Sequence, residues 1–449
     1  MRSWNAHQLA LAAGVQLLRD APATAVGPDR ATIDSRTVAP GELFVGLPGQ
    51  RADGGRFGAA ALSAGAWGVL VAPAHADSAL STPGGAVLVT EDPLAALQRL
   101  ANAWRRELDC VVIGVTGSTG KTSTKELLLR LLAPHRRTVA SQANFNTEIG
   151  MPLQVLAAPA DTQVLVLEMA MRGAGQIAEL ARIAEPDVGV IVSIGPVHLE
   201  LLGSIEAIAA AKAELIAGLA PGATAVVPAG ERLLTPHLRA DLQTVSFGRG
   251  GRVQMMHEHG DRLEIDAGGD RIELEVNFSE AHLRVDLLAA VAAACAVGVR
   301  PSGRVELTLS AGRGQRRLLP GEVTLIDDSY NANPDSMRAA LDALAATPAV
   351  GRRLAVLGDM LELGPEAPEF HREVGAYADG TADVLVSVGP LAAAMLDRFS
   401  GERHSAPDAE SAAEIVSRLV GAGDVVLVKG SNGVRLSLVC ERLLGEATA

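Results

Sequence analysis

Residues 110–126 read CVVIGVTGSTGKTSTKE: an apolar run, a glycine-rich turn and the beginning of a helical stretch. Gly117 and Gly120 allow the backbone to turn its N–H groups toward a phosphate, and the start of the helix adds the positive end of its dipole. Lys121 supplies a positive charge, and Thr122 offers a hydroxyl to Mg²⁺. Strand, Gly-Lys-Thr and helix together predict a nucleotide phosphate site rather than a structural turn, although Val115 stands where the common GxxxxGK[ST] pattern begins with glycine. The residues predicted to bind the phosphates of ATP are Gly117, Ser118, Thr119, Gly120, Lys121, Thr122 and Ser123.

Two further apolar runs follow the phosphate loop along the chain. TQVLVLEM (residues 162–169) and DVGVIVSI (residues 187–194) each precede a helical stretch. Unbroken apolar runs are typical of parallel strands buried on both faces. After residue 243 the pattern changes to the short alternating segments RVQMMHEHG, RLEIDAGG and RIELEVNF, which predict an antiparallel ribbon. The middle of the chain is therefore predicted to be a mononucleotide-binding domain with a parallel sheet and a small ribbon.

The two ends of the chain have a related α/β pattern. The C-terminal part repeats strand–helix units, such as VTLIDD before Pro334–Ala346, which favours a Rossmann-like domain. The N-terminal part combines short strands, glycine turns and a helical stretch at Pro93–Arg106. At 449 residues the chain is too long for one compact core. The predicted fold class is α/β with three domains: a small α/β domain over residues 1–105, the central domain over residues 106–312 and the Rossmann-like domain over residues 313–449.

The composition restricts the partners and the compartment. A formal net charge of -13 disfavours a nucleic-acid polymer, because phosphate backbones are bound by basic surfaces. The 3 cysteines are far apart and lack metal-ligand spacing, which is typical of a reducing compartment. Near the N-terminus Leu11, Val15 and Leu18 have helical spacing, so an amphipathic helix is favoured over a signal peptide. The apolar stretch Leu287–Val299 is shorter than the roughly 20 residues of a membrane span, and we expect a cytoplasmic protein without membrane insertion.

Three more residues are candidates for the chemistry of the phosphate site. Glu168 ends an apolar strand at the carboxyl edge of the sheet, where ligands bind, so a metal ligand is favoured over an ordinary strand-end charge. His198 follows the next strand through a Gly-Pro turn, and a lone loop histidine is more often structural than a ligand. Lys212 and Glu214 lie on the following helix and, taken alone, are typical of a solvated helix face.

Seven motifs follow one another along the chain: GVTGSTGKTSTKE, NFNTEIGMPL, LEMAMRGAGQI, SIGPVHLELLGSIEAIAAAKAEL, GRGQRR, DDSYNANPDSM and LGDMLELG. Their order resembles the Mur ligase family over nearly the whole chain. The last two resemble the members that join D-alanyl-D-alanine to UDP-N-acetylmuramoyl-tripeptide. The family has three domains, for the UDP-sugar, for ATP and for the incoming amine, and these coincide with the three predicted domains.

The resemblance implies a reaction and a metal site. ATP would phosphorylate the free carboxylate of UDP-N-acetylmuramoyl-tripeptide, and the amine of D-alanyl-D-alanine would attack the acyl phosphate. Thr122 and Glu168 would hold one Mg²⁺ and His198 a second. Lys212 matches a lysine that carries a CO₂-derived carbamate, whose oxygens suit Mg²⁺ as an ammonium does not. The implied catalytic residues are Lys121, Glu168, His198 and Lys212, the implied metal ligands are Thr122, Glu168, His198 and Lys212, and a monomer is expected.

The resemblance also implies contacts to the nucleotide and the substrates outside the phosphate loop. A DSR segment in the first domain would contact the UDP group; its alternative interpretation is a capped turn. The loop NFNTEIG would face the substrate, or form only a polar turn before a helix. The third-domain motifs would face the nucleotide as the domains close, although Asn333 is also a good helix start. The implied substrate-binding residues are Ser35, Arg36, Asn144, Asn146, Thr147, Glu148, Asp328, Tyr330 and Asn333. The further ATP-binding residues are Asp286, Arg313 and Asn331.

Some positions depart from the family pattern. The helix that touches adenine commonly reads HNVxNALAA, whereas here it reads HLRVDLLAA, with Leu283 and Asp286 in place of the asparagines. Asp286 can accept a hydrogen bond from the adenine amino group but cannot donate one. Asn432 replaces an arginine of the C-terminal pattern. Two alternative functions are a sibling ligase that adds an amino acid or polyglutamylates a folate, and a P-loop regulatory protein that hydrolyses ATP without ligation.

Overall fold

The computed structural model describes residues 1, 3–22, 26–50, 52–142 and 145–446. They form three sheets of five, ten and six strands, each flanked by helices. The described helices include none that is long and apolar enough to cross a bilayer.

The N-terminal domain is a five-stranded sheet. Its strands are β1 (Gln16–Arg19), β2 (Ala31–Thr32), β3 (Leu43–Val45), β4 (Gly68–Val71) and β5 (Ala86–Val89), and its helices are α1 (Ala6–Ala13), α2 (Gly58–Ser63), α3 (Ala76–Leu80) and α4 (Pro93–Leu108). The strand order is β1-β5-β4-β3-β2, with β1 antiparallel and the other pairs parallel. The prediction of one amphipathic helix through Leu18 is wrong. Gly14, at φ 64°, ends α1 in the left-handed conformation, after which Leu18 lies in β1.

The central domain is a ten-stranded sheet. Its strands are β6 (Val111–Thr116), β7 (Thr138–Ala140), β8 (Val164–Glu168), β9 (Val188–Ile191), β10 (Thr224–Pro228), β11 (Gln243–Phe247), β12 (Val253–His259), β13 (Arg262–Ala267), β14 (Arg271–Val276) and β15 (Gly303–Val305). Its helices are α5 (Lys121–Leu132), α6 (Gly150–Ala157), α7 (Gln176–Ala184), α8 (Leu199–Leu202), α9 (Ile205–Ala217) and α10 (Ala281–Ala296). Strands β12, β13 and β14 form the antiparallel ribbon that the sequence predicts.

Three neighbouring strands of this sheet position the candidate site. The parallel order is β9-β6-β8, so the segments that follow these strands meet at one edge of the sheet. The phosphate loop follows β6, Glu168 ends β8, and His198 lies beyond β9. Helix α4 joins the first two domains: Trp104 is buried in a core that both contribute to and donates a hydrogen bond to the carbonyl oxygen of Ala158 at 3.1 Å.

The C-terminal domain is a six-stranded sheet. Its strands are β16 (Gln315–Leu319), β17 (Val323–Asp328), β18 (Arg353–Gly358), β19 (Val384–Val388), β20 (Glu402–Ala406) and β21 (Val425–Lys429), and its helices are α11 (Pro334–Ala346), α12 (Ala367–Ala378), α13 (Ala409–Leu419) and α14 (Ser437–Glu446). Only β16 pairs antiparallel among the described strands of this sheet. In the order β16-β17-β21-β18-β19-β20, the last strand β21 returns between β17 and β18 and pairs parallel with both. Helix α11 has the bounds predicted from Asn333-Pro334, with Asn333 as its cap.

Candidate active site

The phosphate loop is fixed in shape by packing and by the next strand. Gly120 has φ 79°, and a Cβ at this position would lie 2.3 Å from Asp286 Oδ1, so glycine is required on both counts. The amide of Ser118 donates to the carbonyl of Ser193 at 3.0 Å, and the amide of Thr119 donates to the Ser193 hydroxyl at 2.9 Å. These two hydrogen bonds tie the loop to the segment after β9, in front of the N-terminus of α5, a position that suits an anion.

Lys121, the first residue of α5, turns back over the loop. Its Nζ donates to the carbonyl oxygen of Gly117 at 2.7 Å. Burial lowers the pKa of Lys121, the charge of Glu168 raises it, and Arg313 lowers it.

Glu168 and Thr122 form the part of the site that fits a hard cation. The hydroxyl of Thr122 donates to Glu168 Oε2 at 2.9 Å, and the amide nitrogen of Asn146 donates to Oε1 at 2.9 Å. The backbone N–H of Glu168 donates to the hydroxyl of Ser141 at 2.9 Å. Glu168 is 2 % exposed and forms no ion pair with the described Lys, Arg or His side chains. The hydrogen-bond donors to the Glu168 carboxylate are thus neutral groups, and its oxygens are of the type that Mg²⁺ prefers.

Lys212 is buried on α9 without a partner. It is 2 % exposed, and no described residue accepts a hydrogen bond from its amine or pairs with it. Burial lowers the pKa of Lys212 well below its ordinary value, and the charge of Lys121 lowers it further. The predicted solvated helix face is therefore wrong for Lys212, because α9 turns this residue toward the phosphate site rather than toward solvent.

His198 lies at the start of α8 with its backbone in the left-handed region, at φ 55°. Its Nδ1 is hydrogen-bonded to Oε2 of Glu362, a residue of the C-terminal domain. Burial lowers the pKa of His198, Glu362 raises it, and Lys212 and Lys121 lower it. No three His, Cys, Asp or Glu side chains are arranged as metal ligands within the described ranges. A metal at this place therefore depends on Thr122, on Lys212 or on substrate oxygens as well.

The predicted residues of the C-terminal domain are held by contacts within that domain. The guanidinium of Arg313 lies 4.0 Å from the ring centre of Tyr330. Lys429 is buried and donates to Asp328 Oδ2 at 2.6 Å and to the carbonyl oxygen of Asn331 at 3.0 Å. Asn333 accepts the backbone N–H of Ser336 at 2.9 Å, so its side chain is used as a helix cap.

The other predicted substrate residues are divided between two loops. Asn144 lies outside the described residues. The hydroxyl of Thr147 accepts a hydrogen bond from the backbone N–H of Gly150 at 3.4 Å, a local contact at the start of the next helix. The side-chain amide of Gln98 donates to the backbone carbonyl oxygen of Glu148 at 3.3 Å.

The DSR segment forms a local turn in the N-terminal domain. Arg36 pairs with Asp34 at 2.7 Å between Nη2 and Oδ2, which lowers the pKa of Asp34 to about 2. Ser35 adjoins that pair in sequence, and neither Ser35 nor Arg36 contacts the phosphate loop among the interactions of the described residues.

Three family models match the chain and together cover most of it. They are the Mur ligase family catalytic domain over residues 30–105, the Mur ligase middle domain over residues 115–294 and the Mur ligase glutamate ligase domain over residues 312–432. The chain belongs to the Mur ligase family. The predicted family is thereby confirmed.

Relatives of known function match this Mur ligase along its length. UDP-N-acetylmuramoyl-tripeptide–D-alanyl-D-alanine ligase of Synechocystis is 38% identical over 427 residues, which cover 92% of this chain and 91% of the relative. The ligase of the same name from Bacillus subtilis is 34% identical, with 92% of each chain covered.

Solved structures agree with the fold. MurF ligase of Thermotoga maritima in complex with ADP has a TM-score of 0.81 at 30% identity, covering 93% of this chain and 98% of that one. MurF of Acinetobacter baumannii has a TM-score of 0.86 at 27% identity, covering 98% and 99%. The predicted three-domain α/β fold is confirmed.

In this Mur ligase, Asp286 lies behind the phosphate loop. It is 4 % exposed, its Oδ1 contacts Gly120, and its Oδ2 has no hydrogen-bond partner among the described residues. Burial raises the pKa of Asp286 well above its ordinary value, although a hydrogen bond with Ser123 opposes the shift. The carboxyl group therefore retains its proton over a wider pH range and can donate as well as accept, unlike the carboxylate assumed from the sequence.

Replacement of Asp286 by asparagine is expected to stabilise the protein at neutral pH. An unfolded aspartate ionises near pH 3.9, whereas burial raises the folded pKa, so the wild type loses stability as pH rises from about 4 toward that higher value. The variant does not ionise and should gain about 1–3 kcal/mol at pH 7, with no gain at pH 4. Thermal unfolding at the two pH values measures this. The exposed Asp77→Asn is the control, and a pH-independent difference for Asp286→Asn would contradict the prediction.

One cavity of the described residues lies away from the phosphate loop. It has a volume of about 670 Å³ and lies between the antiparallel ribbon, the first turn of α10 and β16, where Leu283, Arg284 and Arg316 line it. None of the predicted site residues lines this cavity.

The sequence analysis does not predict a role for three residues that contact the predicted site residues or one another. Glu362 and Arg172 meet through a 3.2 Å ion pair beside His198, and Lys429 holds the DDSYN segment. Glu362 lies in LGDMLELG and Lys429 in VLVKGS. These motifs marked the segments, but their partners come from other domains or strands and have no local sequence signal.

Proposed function

We propose that this chain is the ATP-dependent ligase that adds D-alanyl-D-alanine to UDP-N-acetylmuramoyl-tripeptide, giving the UDP-pentapeptide precursor of peptidoglycan, ADP and phosphate. The observation that carries the proposal is the similarity to ligases of this name over 92% of the chain. It includes the C-terminal domain, which would bind the incoming dipeptide. The N-terminal domain would bind the UDP-sugar and the central domain ATP.

The reaction has two steps. The terminal carboxylate oxygen of the tripeptide attacks the γ-phosphorus of ATP, and ADP leaves with the electrons of the broken P–O bond. The amine nitrogen of D-alanyl-D-alanine then attacks the acyl carbon, a C–N bond forms, the C–O bond to phosphate breaks, and the amine releases a proton. The loop N–H groups and Lys121 would hold the phosphates and offset their charge during transfer.

The residues present fit Mg²⁺. Thr122 and Glu168 offer oxygen atoms beside the phosphate loop, and they would hold one Mg²⁺ there. When bound, Mg²⁺ offsets the negative charge of the phosphoryl oxygens. His198 and a carbamate on Lys212 would hold a second ion. The Lys212 amine is buried, has no acceptor among the described residues and has a lowered pKa, so it gives up its proton more readily; the neutral amine is the form that reacts with CO₂, which supports the carbamate.

A cytoplasmic location and a monomeric state remain predictions. The substrates implied for this ligase, a UDP-linked sugar peptide and ATP, are cytoplasmic metabolites, which supports the first. Sedimentation of the purified chain would test the second.

An omission assay tests the proposed function. Phosphate release from ATP is expected to require both UDP-N-acetylmuramoyl-tripeptide and D-alanyl-D-alanine, because each step consumes one of them. Mass detection should show UDP-pentapeptide only in the complete mixture. ATP turnover without either substrate would favour the P-loop regulatory protein, and a product carrying a single added amino acid, or a glutamylated folate, would favour a sibling ligase.

A further inference from the structure

Glu362 of the C-terminal domain reaches two loops of the central domain. Its Oε2 is hydrogen-bonded to His198 Nδ1, and its Oε1 lies 3.2 Å from Nη2 of Arg172. The backbone N–H of Glu200 donates to the carbonyl oxygen of Glu362 at 3.1 Å. Arg172 follows β8 and His198 follows β9, the two strands on either side of the phosphate-loop strand β6. One side chain therefore joins both loops to another domain.

The geometry of this contact is specific. Glu362 has φ 63° and His198 has φ 55°, and a left-handed conformation is unfavourable for a residue other than glycine. Gly364 has φ 69°, and a Cβ there would lie 3.4 Å from the Cα of Glu200, so the two backbones approach closely. Leu199 packs into the core of the C-terminal domain beside them. Surface ion pairs need no such arrangement of the backbone.

The contact determines which imidazole nitrogen of His198 is available. With Nδ1 bonded to a carboxylate, Nδ1 is the protonated nitrogen and Nε2 presents its lone pair. Nε2 has no partner among the described residues. Histidines that bind metals commonly donate their other N–H to a carboxylate, which fixes the ring orientation and increases the basicity of the ligand.

We propose that Glu362 is a positioning residue: it orients His198 toward the second Mg²⁺ and makes that orientation depend on docking of the C-terminal domain. The inference rests on the metal role of His198 in the proposed function. Its consequence is that the second metal is bound tightly only when the domain that carries the dipeptide site is in place. Such coupling would limit phosphoryl transfer until the C-terminal domain, which would bind the dipeptide, is docked.

Metal binding without turnover tests the inference. Mn²⁺ is titrated into the full chain with a non-hydrolysable ATP analogue, and free Mn²⁺ is followed by electron paramagnetic resonance. Glu362→Gln keeps the size of the side chain but removes its charge, and we expect Mn²⁺ to bind about 10–100-fold more weakly at the second site. Glu366→Gln removes the same charge four residues on, at an exposed position, and should bind as wild type.

Two further variants make the result decisive. Glu362→Gly also removes the carboxylate that bonds to His198. Glycine adopts φ 63° without steric cost, so this variant is expected to keep its fold. His198→Ala gives the reference loss of the second site. Wild-type Mn²⁺ binding by both Glu362 variants, while His198→Ala is impaired, would overturn the inference. Wild-type binding by His198→Ala would instead show that the proposed metal role of His198 is wrong, and the inference would fall with it.

Discussion

Replacement of Lys212 by methionine is expected to reduce kcat for ligation by about 10²–10³-fold, the usual effect of losing one preorganised electrostatic group. Methionine fills similar space but has neither an amine nor a carbamate to offer Mg²⁺. The same variant should be more stable than the wild type. Burial lowers the folded pKa of Lys212, whereas the unfolded amine takes up a proton below about pH 10.4. The gain should therefore be present at pH 7 and vanish as pH rises toward 10.

A lower kcat together with a higher stability in Lys212→Met would indicate that Lys212 serves catalysis rather than the fold. Bicarbonate should raise the Tm of the wild type and leave the variant unchanged, because only the wild type forms a carbamate. In Lys212→Ala, short carboxylates should restore part of the activity. Lys125 supplies the matched control: it is also buried, but its Nζ donates to the carbonyl oxygen of Ser141 at 2.7 Å, so Lys125→Met should destabilise the protein. Full activity in either Lys212 variant would remove the carbamate role.

The elements that the sequence predicts best have continuous or strictly alternating apolar patterns. Strands β6, β8 and β9 were readable because their residues are buried on both faces, and the ribbon because its pattern alternates. The prediction for the first helix is wrong at its C-terminal end, because apolar spacing alone extends the helix through Val15 and Leu18. Gly14 ends it instead, with its N–H donating to the carbonyl oxygens of Ala10 and Leu11.

The candidate site was predictable wherever local chemistry and strand ends coincide. Thr122 begins α5 directly after the loop that follows β6, and Glu168 ends the adjacent parallel strand β8, so the rule that ligands bind at carboxyl ends predicts that they meet. Glu362 and His198 are 164 residues apart and come from different domains, and Lys429 and Asp328 are 101 apart. The sequence pattern does not indicate such pairs. The first depends on how two domains dock, and the second depends on which strands of the C-terminal sheet become neighbours.

Asp286 shows a different limit. Helix α10 is apolar on nearly all sides and packs along α5 under the phosphate loop, so its sequence does not indicate which face meets the loop. From the sequence, Asp286 is therefore predicted to be an ionised carboxylate that can only accept hydrogen bonds. Its burial, and hence its proton, follow only from the contact with Gly120.

Lys121→Met is the second change with a large expected effect, about 10²–10³-fold in kcat for ligation, and it should weaken ADP binding as well. The ammonium lies over the phosphate loop, 2.7 Å from the carbonyl oxygen of Gly117, where it can offset the charge of a transferred phosphoryl group. Because burial already lowers the pKa of Lys121, its removal should cost the fold little. The Tm should consequently stay close to that of the wild type while catalysis is lost.

The control for Lys121 lies on the same helix. Arg130 is exposed near the end of α5, so Arg130→Met removes one positive charge without touching the loop and should keep full activity. UDP-pentapeptide formation followed by mass spectrometry gives kcat, and calorimetric titration with ADP gives the affinity. If Lys121→Met kept more than about a tenth of the wild-type kcat, the loop N–H groups and the metal would have to supply the charge stabilisation alone, and the role of Lys121 in transfer would be rejected.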